Sequence, residues 1–555
     1  MRNESILKPL PDWSEDEKPS MPGSPSTPGH PFPVRIAYGL IALLIGVTGG
    51  LGTALLSANL PSIQGELGLT PFQGNWLTAA YMMVNISANL LVFKFRQQYG
   101  MRMFAEIGLS LYAFFTVLHL YINSFEMAVI VRAVSGFAGA SVSTLAIFYM
   151  LQAFGKNRMV EGVIIGLGIS QLTTPLAWIL SPYLNDFADW QVLYQFEAGL
   201  ALCSLAAVVL LKLPPSIHIK VFEKIDFITF FLIGSGLALM CAVMTQGVNQ
   251  WWFNAPWIGE ALAASWILIL LGGLIEHRRQ RPLVQTHWLL SASSLRFALG
   301  AFTMRFLLSE QTFGAVGMLR SFGMAQDQLQ ILYIVILAGL LTGVIGSAIF
   351  FNPRTMILQI LLAILLIIAG SLFDRTSTNL TRPQDMLLSQ FLISMASGIF
   401  LGPMMMIGAM GALKQGPAYI VSFAVLFSVA QNFGGLAGPA LLGTFQVNRQ
   451  QEYAAQLTEH LQSTRPEVNQ RIAAYGNALA GTISDPQLRN AQGASQLNQV
   501  VRQEASVRTY NDIFILTGSL AMLFLLWSVF HVSRVLIKKK TNPLNVSKDV
   551  NKGSF

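Results

Sequence analysis

Charged side chains are scarce in this chain. Asp, Glu, Lys and Arg together make up 11% of its 555 residues, while 53% of the residues are hydrophobic. A soluble domain carries about 25% charged residues, because its surface must face water. The missing charge therefore argues against an ordinary soluble protein and predicts that most of the outer surface faces lipid.

Cysteine and the known catalytic motifs are equally sparse. The two cysteines, Cys203 and Cys241, both stand in apolar segments and offer neither a disulfide framework nor metal-ligand spacing. The sequence also lacks a paired-histidine metal motif, a phosphate-binding glycine loop and a nucleophile elbow. We therefore expect no catalytic residue, no bound metal and no cofactor.

Basic residues outnumber acidic ones, with 35 Lys and Arg against 27 Asp and Glu. They stand in short clusters between apolar runs, which is the pattern of cytoplasmic loops rather than of a nucleic-acid-binding surface. Membrane lipids are therefore expected as partners, and nucleic acid is not.

Fourteen apolar runs are each long enough to cross a bilayer, which takes about 20 residues in a helix. Because backbone groups in lipid must be satisfied internally, we expect every run to be helical. The predicted spans are 35–57, 75–95, 103–122, 126–152, 159–184, 192–213, 225–246, 257–276, 295–314, 327–350, 355–373, 385–410, 416–446 and 510–536.

The loop charges predict the orientation of these spans. Lys94, Arg96 and Arg102 fall between the second and third spans, and basic residues also follow the later even-numbered spans. Cytoplasmic loops carry the excess of Lys and Arg, so both termini are predicted to be cytoplasmic. Residues 1–34, rich in proline and serine, are expected to be a disordered tail, and residues 537–555 form a second cytoplasmic tail.

One segment interrupts the regular alternation of spans and short loops. Residues 447–509 are polar, rich in Gln, Asn and Ala, and lie on the outer side between the last two spans. A long excursion on a protein with otherwise tight loops usually has a task, although a tolerated insertion is the alternative.

Ionisable residues at membrane depth are costly and are therefore candidate functional residues. Arg132, Glu197, Arg305 and Glu310 lie within predicted spans, and Glu106 lies about one turn inside the basic end of the third span. We expect these five residues to act in proton coupling or gating. The alternatives are a loop-paired or snorkelling Glu106 and interfacial positions for Glu197 and Glu310.

Polar, aromatic and methionine residues within the spans are candidates for a substrate cavity. Methionines 404 to 406, with Gln390 on the same span, suit an adaptable and mostly apolar cavity, and Pro175 predicts a bend in the fifth span. The predicted cavity residues are Gln171, Pro175, Trp178, Gln390, Met404 and Gln431.

Several passages carry a family resemblance. The first span ends in SANLPSIQGELG, the second opens in NWLTAAYMM, the fourth contains RAVSGFAGAS and the fifth contains GLGISQLTTPLAWILSPYL. From about residue 35 to 536 the chain resembles the major facilitator superfamily, and within it the fourteen-helix drug:proton antiporters of the EmrB type. The RAVSGFAGAS passage is similar to that family's arginine motif, which implies a proton-coupling or gating role for Arg132.

The resemblance also implies an architecture. The fold class expected is an all-α membrane protein with the major facilitator fold, in which 35–213 and 295–536 form two six-helix bundles and 225–276 supplies two inserted helices. The acid that the family usually has in its first helix aligns with Gly52, so Glu197 is the candidate substitute carboxylate. A common arginine of the thirteenth helix is replaced by Gln431.

The outer segment is also EmrB-like, and it has a task in that branch. The resemblance implies that 447–509 contacts a periplasmic adaptor (membrane fusion) protein, which in turn meets an outer-membrane channel. The contacts are expected around Gln451, Gln456, Gln496 and Arg502. This arrangement implies the inner membrane of a Gram-negative bacterium.

The expected function is secondary active transport rather than enzymatic catalysis. The proton motive force would drive export of amphipathic or hydrophobic small molecules such as drugs, fatty acids or detergents. One alternative is a dedicated exporter of a single siderophore or metabolite. A non-transporting scaffold and a lipid-modifying enzyme are less favoured; such an enzyme would need a cluster of His, Asp or Ser at one membrane face.

Overall fold

The computed structural model describes residues 13–14, 17–19, 23–185, 191–252, 254–459, 461 and 465–541. Regular structure within these ranges is helical, apart from one isolated antiparallel bridge between Pro25 and Ser216. The N-terminal half consists of α1 (Phe32–Glu66), α2 (Pro71–Tyr99), α3 (Met101–Leu118), α4 (Phe125–Phe154), α5 (Met159–Asn185) and α6 (Gln191–Leu210).

Two inserted helices and a C-terminal half follow. The inserted pair is α7 (Lys224–Gln246) and α8 (Pro256–Arg278), after which comes the short α9 (Thr286–Leu289). The C-terminal half consists of α10 (Ala292–Leu307), α11 (Val316–Ser321), α12 (Gln330–Ile349), α13 (Met356–Asp374), α14 (Leu387–Leu413), α15 (Tyr419–Glu459), α16 (Pro466–Asn477) and α17 (Pro486–Thr541).

Thirteen helices in the described part of the chain are long and apolar enough to cross a membrane. The predicted span 295–314 does not form one uninterrupted helix. It begins in α10 and enters a π-helical turn at Glu310–Ala315, which leads into α11. A π turn adds a residue to the helical repeat and is frequent at functional sites. The structure therefore replaces one predicted helix with an interrupted segment.

The helices form the two expected bundles. In the N-terminal half α1 packs against α4 and α5, and in the C-terminal half α14 packs against α12 and α13. The inserted helices α7 and α8 pack on each other, and α7 also lies along α2. We call the end where α1 begins and α2 ends the basic end, because Lys94 and Arg96 lie there, and the opposite end the distal end.

The buried apolar residues show which end of the bundle is closed. At the distal end one cluster joins Leu51, Leu55 and Leu56 of α1 to Met318 and Leu319 of α11. Toward the basic end two large clusters form, one within each half. The two halves thus share their apolar core at the distal end, which is closed in this structure.

Part of the predicted disordered tail, residues 1–34, is ordered in the structure. Phe32 already begins α1, and Ser26 is 2% exposed, with its carbonyl oxygen accepting a hydrogen bond from Nε2 of Gln152 at 2.9 Å. The prediction of disorder is therefore wrong for residues 23–34, which pack at the basic end. Residues 1–12 and 542–555, which make up much of the two predicted tails, lie outside the described residues.

The described part of the outer segment 447–509 is mostly helical, with turns and irregular structure between its helices, and we call it the distal projection. It comprises the end of α15, the whole of α16 and the beginning of α17, and α16 packs against α17. At its base, Asp512 accepts hydrogen bonds from Nη2 of Arg449 at 2.7 Å and from the hydroxyl of Tyr453 at 2.9 Å. These contacts fix α15 to α17 where they leave the bundle.

A buried ion network attaches the inserted helices to the N-terminal half. Nζ of Lys94 on α2 donates to both carboxylate oxygens of Asp226 on α7 at 2.8 Å, and the two side chains are 5% and 0% exposed. Arg279, which follows α8, pairs with Asp226 at 2.8 Å and with Glu276 at 2.6 Å. Three helices are therefore held by charges that are excluded from water.

We predict that Asp226→Asn destabilises the protein by about 3–5 kcal/mol, because it leaves the buried ammonium of Lys94 without a carboxylate. The measurement is unfolding in detergent micelles under increasing SDS. The control is Glu106→Gln, which breaks a pair with Lys212 whose side chains are 40% and 49% exposed. That loss should be about 1 kcal/mol or less. Equal losses in the two variants would contradict a supporting role for the buried network.

Candidate functional site

The arginine of the fourth helix is placed by the small residues that follow it. The N-cap Ser124 starts α4 by accepting a hydrogen bond from the backbone of Met127. Gly136 and Gly139 then let α2 approach closely, since a Cβ at either position would lie 2.3 Å or less from Tyr81. The same tyrosine ring lies under the guanidinium of Arg132, 4.8 Å from its centroid.

Arg132 is one of the most deeply buried side chains in the protein. It is 1% exposed, and its Nη1 donates to the backbone carbonyl of Gly52 on α1 at 3.1 Å. Its Nε and Nη2 have no hydrogen-bond partner among the described residues. A buried guanidinium with free donors attracts a negative charge or water, so this position can respond to a change of charge nearby.

A carboxylate lies on the other side of Gly52. Glu197 of α6 is 4% exposed, and its Oε1 accepts a hydrogen bond from the hydroxyl of Tyr112 at 2.8 Å. That hydroxyl also lies 3.1 Å from the carbonyl oxygen of Thr48. The pocket thus holds one cation and one carboxylate around a single turn of α1.

Gly52 is the residue that makes this arrangement possible. A Cβ at this position would lie 2.2 Å from Oε1 of Glu197 and 2.6 Å from the hydroxyl of Tyr112, far inside contact distance. The carboxylate from α6 therefore occupies the space next to α1 that a side chain at position 52 would need. Position 52 is the one at which the sequence resemblance implies an acidic residue in other family members.

Two further polar residues line the same pocket. His119 is 1% exposed, stacks on Tyr194 with ring centroids 4.6 Å apart, and has its Nδ1 2.7 Å from the carbonyl oxygen of Phe115. The sequence reasoning missed these residues and also missed Tyr81 and Tyr112. A usable signal was present, because each is a polar aromatic residue inside or at the end of an apolar span.

The C-terminal half contains a second buried polar group. Glu310 lies on the π turn and is 0% exposed, while Asp374 ends α13 and is 3% exposed. Gln390 of α14 lies between them, with its Nε2 2.8 Å from Oδ2 of Asp374 and 3.5 Å from Oε1 of Glu310. Asp374 was not predicted as a site residue, because it follows the last residue of the predicted span 355–373.

Arg305 connects the two halves. Its Nη1 donates to Oε1 of Gln171 on α5 at 3.2 Å, which is a contact from α10 across to the N-terminal half. Gln431 on α15 donates to the carbonyl oxygen of Ala301 at 3.1 Å, so it lies against α10 as well. Arg305 and Gln171 therefore meet directly across the interface of the halves, and Gln431 packs on the helix that carries Arg305.

The other predicted residues are more dispersed. Trp178 packs on Tyr333 with ring centroids 5.0 Å apart, and both belong to the shared distal core. Pro175 lies inside α5. Met404 belongs to the apolar core of the C-terminal half.

Three further predicted site residues lie apart from the contact of Arg305 with Gln171. Gln390 is fully buried between two carboxyl groups, and Met404 is 7% exposed. Glu106 pairs at 2.8 Å with Lys212 near the basic end. It is therefore the loop-paired carboxylate of the alternative interpretation and lies apart from Arg132.

A bundle of two pseudo-symmetric helical halves, closed at one end and charged at its centre, defines a multi-pass membrane transporter rather than an enzyme. The Major Facilitator Superfamily profile matches residues 42–439, and the chain belongs to this superfamily.

Two relatives and one solved structure are similar to this chain. Multidrug export protein EmrB of Haemophilus influenzae is 22% identical over 496 residues, which are 86% of this chain and 92% of that protein. Puromycin resistance protein pur8 of Streptomyces alboniger is 23% identical over 465 residues, 80% of this chain and 88% of that protein. The crystal structure of the human organic anion transporter MFSD10 shares the fold at a TM-score of 0.52 and 14% identity, covering 89% of this chain and 100% of that one.

We predict that Gly52→Ala lowers stability by about 1–3 kcal/mol, because the new methyl group overpacks the pocket and displaces the carboxylate of Glu197. Gly65→Ala on the same helix is the matched control, since a Cβ there meets nothing within 4 Å. The control should be neutral or slightly stabilising. The measurement is thermal unfolding of both variants in detergent. An unfolding midpoint of Gly52→Ala equal to that of the wild type would show that the pocket accommodates a methyl group.

Proposed function

We propose that this transporter exports amphipathic or hydrophobic small molecules and is driven by protons that bind at Glu197. The observation that carries the proposal is the position of that carboxylate. It lies against Gly52, and the carbonyl of Gly52 also binds Arg132. The export-type names of the two relatives support the direction of transport and the broad class of substrate.

The chemistry follows from charge in a pocket that excludes water. When Glu197 is ionised, Arg132 balances its charge, and the hydroxyl of Tyr112 supplies one hydrogen bond. Protonation removes the negative charge and leaves the guanidinium without its counterion. The two protonation states therefore prefer different arrangements of α1, α4 and α6, and a proton gradient can use that difference to drive alternating access.

Substrate would bind between the halves, near the contact of Arg305 with Gln171. In this superfamily fold, binding near the middle of the membrane allows the same site to open alternately to each side. The distal end is the closed one here, because α1 and α11 share their apolar core there. Proton-driven exit of substrate requires that this core separate.

The distal projection supports a second part of the proposal, namely assembly with a periplasmic adaptor protein and an outer-membrane channel in a Gram-negative inner membrane. Its helices extend beyond the membrane-spanning part of α15 and α17. The four predicted contact residues are all exposed on these helices, and they are Gln451, Gln456, Gln496 and Arg502. An ordered, exposed helical surface is suited to docking a helical partner.

We predict that Glu197→Gln transports ethidium in proteoliposomes without dependence on an imposed pH gradient, because the amide keeps the shape but cannot titrate. The double variant Gly52→Asp with Glu197→Ala puts a carboxylate from α1 into the space that the Glu197 carboxylate occupies. This variant should regain part of the dependence on the pH gradient. The role of this site would be contradicted if Glu197→Gln transport depended on the pH gradient as in the wild type. It would also be contradicted if the double variant folded but showed no dependence on the gradient.

We predict that a photo-crosslinking residue at Gln456 or Gln496 in intact cells captures a membrane fusion protein. The matched control is Leu388, which is 61% exposed on a membrane-spanning helix and should capture no such protein. Replacing 457–500 by a short linker keeps the base at Arg449 and Asp512, so transport in proteoliposomes should persist. No adaptor capture from either position, together with full resistance of cells carrying the shortened protein, would show an inert insertion.

A further inference from the structure

The buried carboxyl pair of the C-terminal half is not part of the Arg132 pocket. Glu310 and Asp374 come from the π turn and from the end of α13, and the Gln390 amide lies between them. Oε2 of Glu310 is buried and has no hydrogen-bond partner among the described residues. A single amide group with two hydrogens thus serves two acids and leaves one carboxyl oxygen unsatisfied.

The surroundings of the pair lack a compensating charge. Neither carboxyl group has a Lys or Arg nitrogen within 4 Å in the described part of the chain. The arginines that flank the π turn are used elsewhere, since Arg305 bonds Gln171 and Arg320 lies 3.5 Å from the hydroxyl of Tyr333.

The elements packed around the pair contribute neutral groups. The groups that face it or its π turn are Ser389 and Gln390 from α14, Gln311 from the turn itself, Phe514 from α17 and Gly443 from α15. Tyr510 of α17 lies against Gly317 of α11, just beyond the turn. The hydroxyl of Tyr510 is bonded to Gln446 at 3.2 Å.

Two carboxylates in such a pocket cannot both be ionised without strong repulsion, because neither water nor a cation screens them. One proton bound to either group removes the repulsion. It also turns that carboxyl group into a hydrogen-bond donor. The proton belongs to the pair rather than to either residue.

The carboxyl pair is connected to the closed distal end through the π turn, so a change in its charge can affect that end. Glu310 begins the π turn, and α11 follows it directly. Met318 and Leu319 of α11 are part of the core that closes the distal end against α1. A π turn can return to regular α-helical geometry by a small shift of its hydrogen bonds, and such a shift would move α11.

We propose that Glu310 and Asp374 form a second proton-binding site, in the C-terminal half, which holds one proton while the distal end is closed. Loss of that proton makes the pair doubly charged, displaces the π turn and opens the distal end. The proposal rests on the proposed proton-driven function for the use made of this proton, and it adds a site separate from Glu197.

The test measures opening of the distal end against pH. Spin labels at Ser62→Cys and Asp327→Cys report on the two sides of a shallow distal depression that both residues line, with Cys203 and Cys241 replaced by alanine. In lipid nanodiscs the wild type should show a short label separation at acidic pH and a longer one at alkaline pH. Glu310→Gln and Asp374→Asn should keep the short separation throughout, because each variant leaves at most one charge in the pocket.

Two controls separate this site from others. Glu106→Gln should respond as the wild type does, and Glu197→Gln should also open at alkaline pH, since the pair is intact in both. Infrared spectra of the wild type should show the C=O band of a protonated carboxyl group that is lost at alkaline pH and is absent in Glu310→Gln. This measurement needs no transport and remains usable if Asp374→Asn fails to fold.

The outcomes distinguish the two proposals. If Glu310→Gln and Asp374→Asn both open at alkaline pH as the wild type does, the second site is overturned and the role of Glu197 stands. Loss of the response in Glu197→Gln alone has the same meaning. A wild-type separation that does not change with pH, or a spectrum without a titrating carboxyl band that depends on Glu310, also overturns the second site, while ethidium transport decides the proposed function independently.

Discussion

The buried guanidinium of Arg132 is the constraint on which the rest of the N-terminal half depends. A cation at membrane depth needs a counterion, a π surface and carbonyl oxygens close by, because lipid provides none of them. Gly52 provides a carbonyl oxygen and Tyr81 the π surface, and the carboxyl group of Glu197 lies in the same pocket, next to Gly52. The glycines of α4 follow from the same need, since only a residue without a side chain lets Tyr81 lie under the guanidinium.

At the basic end, the inserted helices are likewise attached through a buried charge and its counterion. Lys94 and Asp226 hold α7 to the N-terminal half by buried charge. The inserted segment also contacts the C-terminal half, but through a hydrogen bond between neutral groups. Nε1 of Trp252, which lies between α7 and α8, donates to the hydroxyl of Thr444 on α15 at 2.7 Å. Because a buried ion pair is far harder to break than such a bond, α7 and α8 should move with the N-terminal half.

Much of this could be predicted from sequence because the lipid solvent leaves few choices. Long apolar runs must be helices, and Arg132 stands out because it is charged within such a run. The resemblance made Glu197 a candidate substitute for the acid missing at position 52. The proximity of Glu197 to Gly52 was not predicted, since it depends on how α1 and α6 pack. The π turn and the partnership of Glu310 with Asp374 were not predictable, because hydropathy carries no information about a change of helical repeat or about contacts between distant helices.

The two carboxyl sites that we propose differ in the groups that surround them. Glu197 lies in a pocket that also holds the guanidinium of Arg132, so its ionised form would have a cation close by. Glu310 and Asp374 have a bridging amide between them, so ionisation of both would place two like charges in one pocket. On these proposals, loss of a proton brings opposite charges together in the N-terminal half and like charges together in the C-terminal half. A proton-driven transporter needs states of different charge to prefer different arrangements, and the two halves would contribute to that difference by different interactions.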